Sequence, residues 1–355
     1  MANDKLVVDH DTDLESQPGG IWDRREFVKG VAALVGSAGL YGYDVLPASA
    51  EPPPEISKIR LVHNPSTCLA PQYLAEGLLR LEGFSQIDYV AVENDPNPHV
   101  VVAADQADFT MDSATALVPA LDGGRLLVVL AGIHGGCFEL FGNARVRAIR
   151  DLKAKNVAVN AFGADDHVYI ASMMAYVGMD PRKDVSWVET GTFDGPMELF
   201  VDGKVDAFLG FPPQPQQVRA KKIGHVIVNT AQDKPWSLHF CCMVVGHREF
   251  VRKYPVASKR VVRAFLKAAD ICSREPERAA RYMVKKGYEA NYDIALEVVK
   301  EVSYNAWRTF HPEDTLRFHA LRLHEVGMIK TSPQKLIAQG TDWRFLNELK
   351  KELKA

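Results

Sequence analysis

Short apolar runs alternate with amphipathic stretches from residue 59 to residue 246. Ile59–His63 reads as a strand and is stopped by Asn64-Pro65-Ser66-Thr67, a turn and helix-cap cluster. Gln72–Gly83 has helical spacing through Tyr73, Leu74, Leu78 and Leu81, and Ile87–Glu93 is the next strand. A helix over His99–Ala107, a strand over Asp108–Met111 and a helix over Ala114–Leu121 follow. Leu126–Ile133 is continuously apolar, as expected of a strand buried on both faces.

The alternation then restarts near Ile149. Strands are predicted at Asn156–Asn160, Asp184–Glu189, Val205–Gly210 and Val226–Asn229, with helices at His167–Val177 and Gly195–Asp202. Phe211–Pro215 reads as a loop because its prolines prevent ladder pairing. After a strand at Phe240–Gly246 the pattern is helical to the end of the chain. Two successive strand–helix units imply an α/β protein with mostly parallel sheets and a helical C-terminal tail.

The first fifty residues follow a different rule. Asp23-Arg24-Arg25-Glu26-Phe27-Val28-Lys29 precedes an uncharged stretch, Gly30–Tyr43, and then Ala48-Ser49-Ala50. Charged region, short apolar region and small-x-small site are the layout of a signal peptide, and the paired arginines resemble the twin-arginine export motif. The expectation is a 1–50 signal, cleaved after Ala50, and a periplasmic mature chain. No cysteine follows the site, so a lipid anchor is not expected.

Composition adds mainly exclusions. The chain of 355 residues has 42 basic and 45 acidic side chains, a net charge of −3. That balance gives no global reason to bind nucleic acid. The sequence has no phosphate-binding Gly-x-x-x-x-Gly-Lys-Ser/Thr loop, no dinucleotide glycine fingerprint and no His-Glu-x-x-His helix. Ser332-Pro333-Gln334-Lys335 fits Ser-x-x-Lys but lacks companion motifs, so no catalytic residue is assigned. His134-Gly135-Gly136-Cys137 offers a pair of soft ligands with no second pair in evidence, so neither a metal nor a cofactor is expected. Cys241 and Cys242 fall in an apolar strand whose neighbouring side chains should face opposite ways, and read as small buried hydrophobes.

Several segments together resemble a known family. They are Pro71-Gln72-Tyr73-Leu74-Ala75-Glu76-Gly77, Ala104-Asp105-Gln106-Ala107-Asp108-Phe109, Ile149-Arg150-Asp151-Leu152-Lys153, Val177-Gly178-Met179-Asp180-Pro181 and Asp202-Gly203-Lys204-Val205-Asp206-Ala207-Phe208. The resemblance is to the periplasmic substrate-binding proteins of ABC importers, in the nitrate/sulfonate/taurine group that includes thiamine-pyrimidine-precursor binders. It implies a type II-like bilobal clamp: two mixed sheets flanked by helices, with a ligand cleft between lobes. Lobe I would be 57–145 plus 240–355, and lobe II 146–239. It further implies a monomeric, non-enzymatic carrier of a small organic anion or aromatic solute, served by an inner-membrane ABC permease and its ATPase. A metal-dependent enzyme or sensor resembling the thiamine-pyrimidine synthases is the alternative on the same fold.

Ligands of open α/β sheets bind beyond the carboxyl ends of strands. The turns at those ends hold His63, Asn64, Ser66, Thr67, Asp112, Ser113, His134 and Gly135 in the first unit. In the second they hold Gly163, Asp165, His167, Thr192, Phe193 and Phe211, with Trp236 and His239 near the return crossing. Helix capping by the serines and Asp165, and structural packing of the histidines and aromatics, are the competing explanations.

Overall fold

The computed structural model describes residues 51–64, 66–92 and 97–354. The expected export signal lies outside the described residues. Residues from Pro52 onward form one compact unit.

Two five-stranded sheets organise it. The first has the order β2-β1-β3-β10-β4, with β1 Lys58–His63, β2 Gln86–Ala91, β3 Phe109–Ser113, β4 Leu127–Gly135 and β10 Phe240–His247. The second has the order β7-β6-β8-β5-β9, with β5 Glu139–Gly142, β6 Asn156–Val159, β7 Ser186–Glu189, β8 Ala207–Gly210 and β9 His225–Asn229. In each sheet one strand runs against its neighbours: β10 pairs antiparallel to β3 and β4, and β5 antiparallel to β8 and β9. Both sheets are therefore mixed, as expected.

The helices follow the sequence periodicity closely: α1 Ala70–Leu81, α2 His99–Ala103, α3 Ala114–Asp122, α4 Asp165–Tyr176 and α5 Gly195–Val201. An unexpected α6, Gln214–Lys221, occupies part of the proline-rich segment read as a loop. Pro213 is its N-cap and Pro215 lies in the first turn, where a missing N–H costs nothing. The tail supplies α7 Arg248–Lys253, α8 Pro255–Arg274, α9 Pro276–Lys285, α10 Tyr292–Glu301, α11 Pro312–Glu325, α12 Pro333–Gly340 and α13 Arg344–Glu352. Ser332 caps α12, its Oγ accepting from the Lys335 N–H at 3.4 Å, which accounts for the serine of the Ser-x-x-Lys match. All nine residues of β4 are buried. Its open edge is closed by the tail, through a parallel bridge from Val129 to Thr341 and a 2.9 Å bond from the Asp342 N–H to the Val129 carbonyl.

The chain passes between the sheets twice. It leaves β4 at Gly135 and enters the second sheet at Glu139, ahead of the expected 146, because Glu139–Gly142 hydrogen-bonds to β8 and β9. It returns between Asn229 and Phe240. The two crossings are tied together. The Phe138 N–H donates to Thr230 Oγ1 at 2.9 Å, and the Thr230 N–H donates to the Phe138 carbonyl at 2.9 Å. Gly136 permits this approach, since a Cβ there would lie 2.0 Å from the Thr230 carbonyl oxygen.

Candidate functional site

The carboxyl ends of β1, β3, β4, β6 and β8 open toward the crossings. Elements on either side meet there. Ser66 Oγ donates to the Pro212 carbonyl at 3.1 Å, and Ser172 Oγ of α4 lies 3.1 Å from His319 Nδ1 of α11. Arg219 of α6 bonds Glu139 on its own side and reaches Glu297 and Glu301 of α10, at 2.7 Å each. A cavity of about 100 Å³ remains, bordered by Gly136, Cys137, Glu139, Pro212, Asn229 and Glu301. A larger depression of about 660 Å³ lies at the opposite end of β5 and β9, around Asn143, Arg147 and Gly224, away from these groups.

The floor is built from sulfur and imidazole. Cys68 lies just after β1, His134 near the end of β4, Cys137 in the first crossing, and Cys241 and Cys242 at the start of β10; all are buried. Cys137 Sγ and Cys241 Sγ are 3.1 Å apart, and Cys241 Sγ and Cys242 Sγ 3.8 Å. The alternation expected of Cys241 and Cys242 is overridden by a bulge. Phe240 pairs with Gly135 and Cys242 with His134, so two β10 residues advance against one on β4. The extra residue, Cys241, is re-aimed beside its neighbour. The soft-ligand pair His134 and Cys137 thus gains the second pair that spacing did not reveal.

Charge at this floor is finely set. Burial opposes a charged His134 ring, and only negative charge on the facing sulfurs of Cys242 and Cys68 favours it. Burial holds the Cys137 thiol well above its ordinary range, whereas contact with Cys137 favours the Cys242 thiolate. Asp165 is held well above the carboxylate range by burial and then by the charge of Asp112, and its Oδ1 has no hydrogen-bond partner. Glu139 rises to about 7 because burial outweighs Arg219.

The remaining candidates divide into groups. Ser66 and Asp165 join the floor. Asp112 is buried and accepts from the His99 N–H at 3.0 Å and the Ser113 N–H at 2.7 Å. Ser113 Oγ pairs with Thr115 Oγ1 at 2.6 Å, and neither Ser66 nor Ser113 caps a helix with its side chain. Thr67 Oγ1 donates to Glu289 at 3.2 Å, and the Gly135 N–H donates to the Ser303 carbonyl at 3.2 Å. His63 packs on Tyr73 and Tyr288, and the adjacent Asn64 N–H donates to the Tyr73 hydroxyl at 2.9 Å. The Gly163 N–H donates to His167 Nδ1 at 3.1 Å, and the His167 ring lies between Phe162 and Trp187. Burial pushes His167 down to about 4. Phe193 meets Phe211 edge-on, while Thr192 is exposed. Trp236 is buried against Tyr176, and His239 stacks on Phe318. Glu139, Arg219, Cys68, Cys241 and Cys242 are site residues that strand-end reasoning did not select.

Residues 141–286 match the model of the NMT1-like family. Solved structures align over most of the chain. The periplasmic nitrate-binding protein of Synechocystis PCC 6803 is similar at a TM-score of 0.69 and 15% identity, covering 85% of this chain and 90% of its own. The alkanesulfonate-binding protein of Xanthomonas axonopodis pv. citri, bound to MOPS, gives 0.65 and 14%, covering 83% and 100%. The fold is that of the periplasmic binding proteins. A Candida albicans protein described as having the generic periplasmic binding protein fold also aligns, at a TM-score of 0.64 and 13% identity, covering 81% of this chain and 96% of its own. No curated protein gives a significant sequence match. In periplasmic-binding-protein terms, the sulfur floor lies where the two crossings pass between the sheets. Among the described residues no helix is long and apolar enough to cross a membrane.

Proposed function

We propose that this chain is the solute-binding component of an ABC-type importer. It works in the periplasm after twin-arginine export, as a monomer without catalysis of its own. Lobes 52–138 with 240–354, and 139–239, close by hinge motion at the crossings. The closed clamp then delivers a small organic anion or aromatic solute to a membrane permease driven by its ATPase. One observation carries this reading. The strand carboxyl ends of both sheets converge on a single cleft bridged by Arg219, Ser66 and Ser172.

Thermal unfolding of the purified chain against nitrate, taurine, alkyl and aryl sulfonates, aromatic carboxylates and pyrimidines tests it. A true ligand at about 100 times its Kd adds roughly 2.7 kcal/mol to stability. One chemical class raising the midpoint supports the carrier reading, and no class doing so counts against it.

A further inference from the structure

The protein brings five soft donor atoms to one buried point. The ligand atoms of Cys68, His134 and Cys137 lie within 4.8 Å of one another, as do those of His134, Cys241 and Cys242. All four cysteines are free thiols. Sulfur alone would not argue for a ligand, since a buried thiol packs as a small hydrophobe.

The histidine decides the matter. His134 is 0% exposed, and its Nδ1 lies 2.7 Å from the Gly135 carbonyl oxygen. A carbonyl only accepts, so Nδ1 carries a proton, and in the neutral ring Nε2 presents a lone pair. Nε2 makes no hydrogen bond. Leaving such an atom buried and unpaired is destabilising unless a ligand takes up its lone pair. Metal-binding histidines have this arrangement, with the far ring nitrogen fixed on a backbone carbonyl and the near one free for the ion.

We propose that Cys68, His134, Cys137, Cys241 and Cys242 form a site for one thiophilic transition-metal ion of the Zn²⁺ or Cu⁺ class. Thiolate and imidazole donors select such ions over Mg²⁺ or Ca²⁺, which require oxygen. Tetrahedral bonds of about 2.3 Å to sulfur set neighbouring sulfurs about 3.8 Å apart. The Cys241–Cys242 separation is 3.8 Å. A four-coordinate ion draws its ligands from these five, and the coordinating thiols release their protons to solvent. Cys137 belongs to the outward crossing and Cys241 lies in β10 just after the return crossing, so the ion ties the outward crossing to the first sheet at the proposed hinge. The site is defined by its donor atoms and stands whether or not the cleft carries an organic solute.

The test uses the full chain, reduced and stripped of metal under anaerobic conditions. It is titrated separately with Co²⁺, with Zn²⁺ against a chromophoric chelator, and with Cu⁺ against bicinchoninate. The expected result is one equivalent bound. Co²⁺ should give thiolate charge-transfer bands and tetrahedral d–d bands, and bound metal should raise the unfolding midpoint. His134→Ala and Cys241→Ser, each first shown to unfold cooperatively, should weaken binding about 100-fold or more. Cys272→Ser, at a buried thiol in α8 outside the cluster, should bind as the wild type does. The proposal is overturned if the reduced wild-type chain takes up none of the three ions. It is equally overturned if uptake survives unchanged in both His134→Ala and Cys241→Ser.

Discussion

Cys137 Sγ lies 3.1 Å from Cys241 Sγ, although 104 residues separate the two. One belongs to the outward crossing between the sheets and the other follows the return crossing. Thr230 and Phe138 hold the crossings in contact, and the β10 bulge turns Cys241 toward Cys137. The floor of the cleft is thus also where the two sheets are joined.

This proximity predicts selective oxidation. A mild two-electron oxidant such as diamide should convert the two thiols to a Cys137–Cys241 disulfide, the oxidant taking up two electrons and two protons. Peptide mapping should find that bond before any bond involving Cys272, which is buried elsewhere in α8. Random pairing among the five thiols would contradict the geometry.

Arg219 predicts an effect on closure and stability together. It meets buried Glu139 on its own side and Glu297 and Glu301 across the cleft. Arg219→Ala leaves Glu139 buried without its charged partner, held only by the Asn229 amide at 3.1 Å. After discounting for the arginine's partial exposure, the cost is about 2 kcal/mol. Urea unfolding should show that loss, and solution scattering a larger radius of gyration. An unchanged midpoint would remove Arg219 from any bridging role.

His319 predicts a pH dependence of known sign. Burial, with His239 nearby, pushes it down to about 3, against about 6.5 in an unfolded chain. Between those values the unfolded state binds the extra proton. The stability of the neutral ring is therefore complete above pH 6.5 and is lost as pH falls. Raised groups such as Asp166, at about 6 through burial, act in the opposite sense: their stability falls as pH rises toward 6. Total stability consequently mixes the two trends, and the informative quantity is the difference between wild type and His319→Gln. That difference should move toward the variant by up to about 1.4 kcal/mol per pH unit below 6.5. A difference independent of pH between 7.5 and 5 would refute the assignment.

Most of the fold is legible in the residue pattern, and the exceptions have local causes. The apolar run Leu126–Ile133, most of β4, and the spacing of Tyr73, Leu74 and Leu78 in α1 each admit one reading. Glu139–Gly142 does not: four residues directly after buried Cys137 and Phe138 carry too little alternation to declare a strand. Pro213 and Pro215 read as breakers where they in fact begin α6. The site was visible only by halves. His134, Ser66 and Asp165 follow from strand ends, but Cys241 and Cys242 converge through a register shift that single-strand periodicity does not encode. Arg219 was missed because its helix was.

Two glycines provide the sharpest contrast in what packing tolerates. At Gly136 an added Cβ would lie 2.0 Å from the Thr230 oxygen and 2.2 Å from its carbonyl carbon. Those atoms are backbone and cannot rotate aside, so the crossings would have to separate and the Phe138–Thr230 bonds lengthen. Gly136→Ala should therefore cost about 3 kcal/mol or more, among the larger single-residue effects, and should also weaken Co²⁺ binding by shifting Cys137. At Gly77, exposed in the middle of α1, a Cβ would meet nothing within 4 Å. Gly77→Ala should stabilise by about 0.5–1 kcal/mol, because alanine has less backbone freedom to lose in a helix. Urea midpoints of the two variants should lie on opposite sides of the wild type. If Gly136→Ala is neutral, the close approach of the two crossings is wrong, and with it the rigid floor on which the sulfur cluster depends.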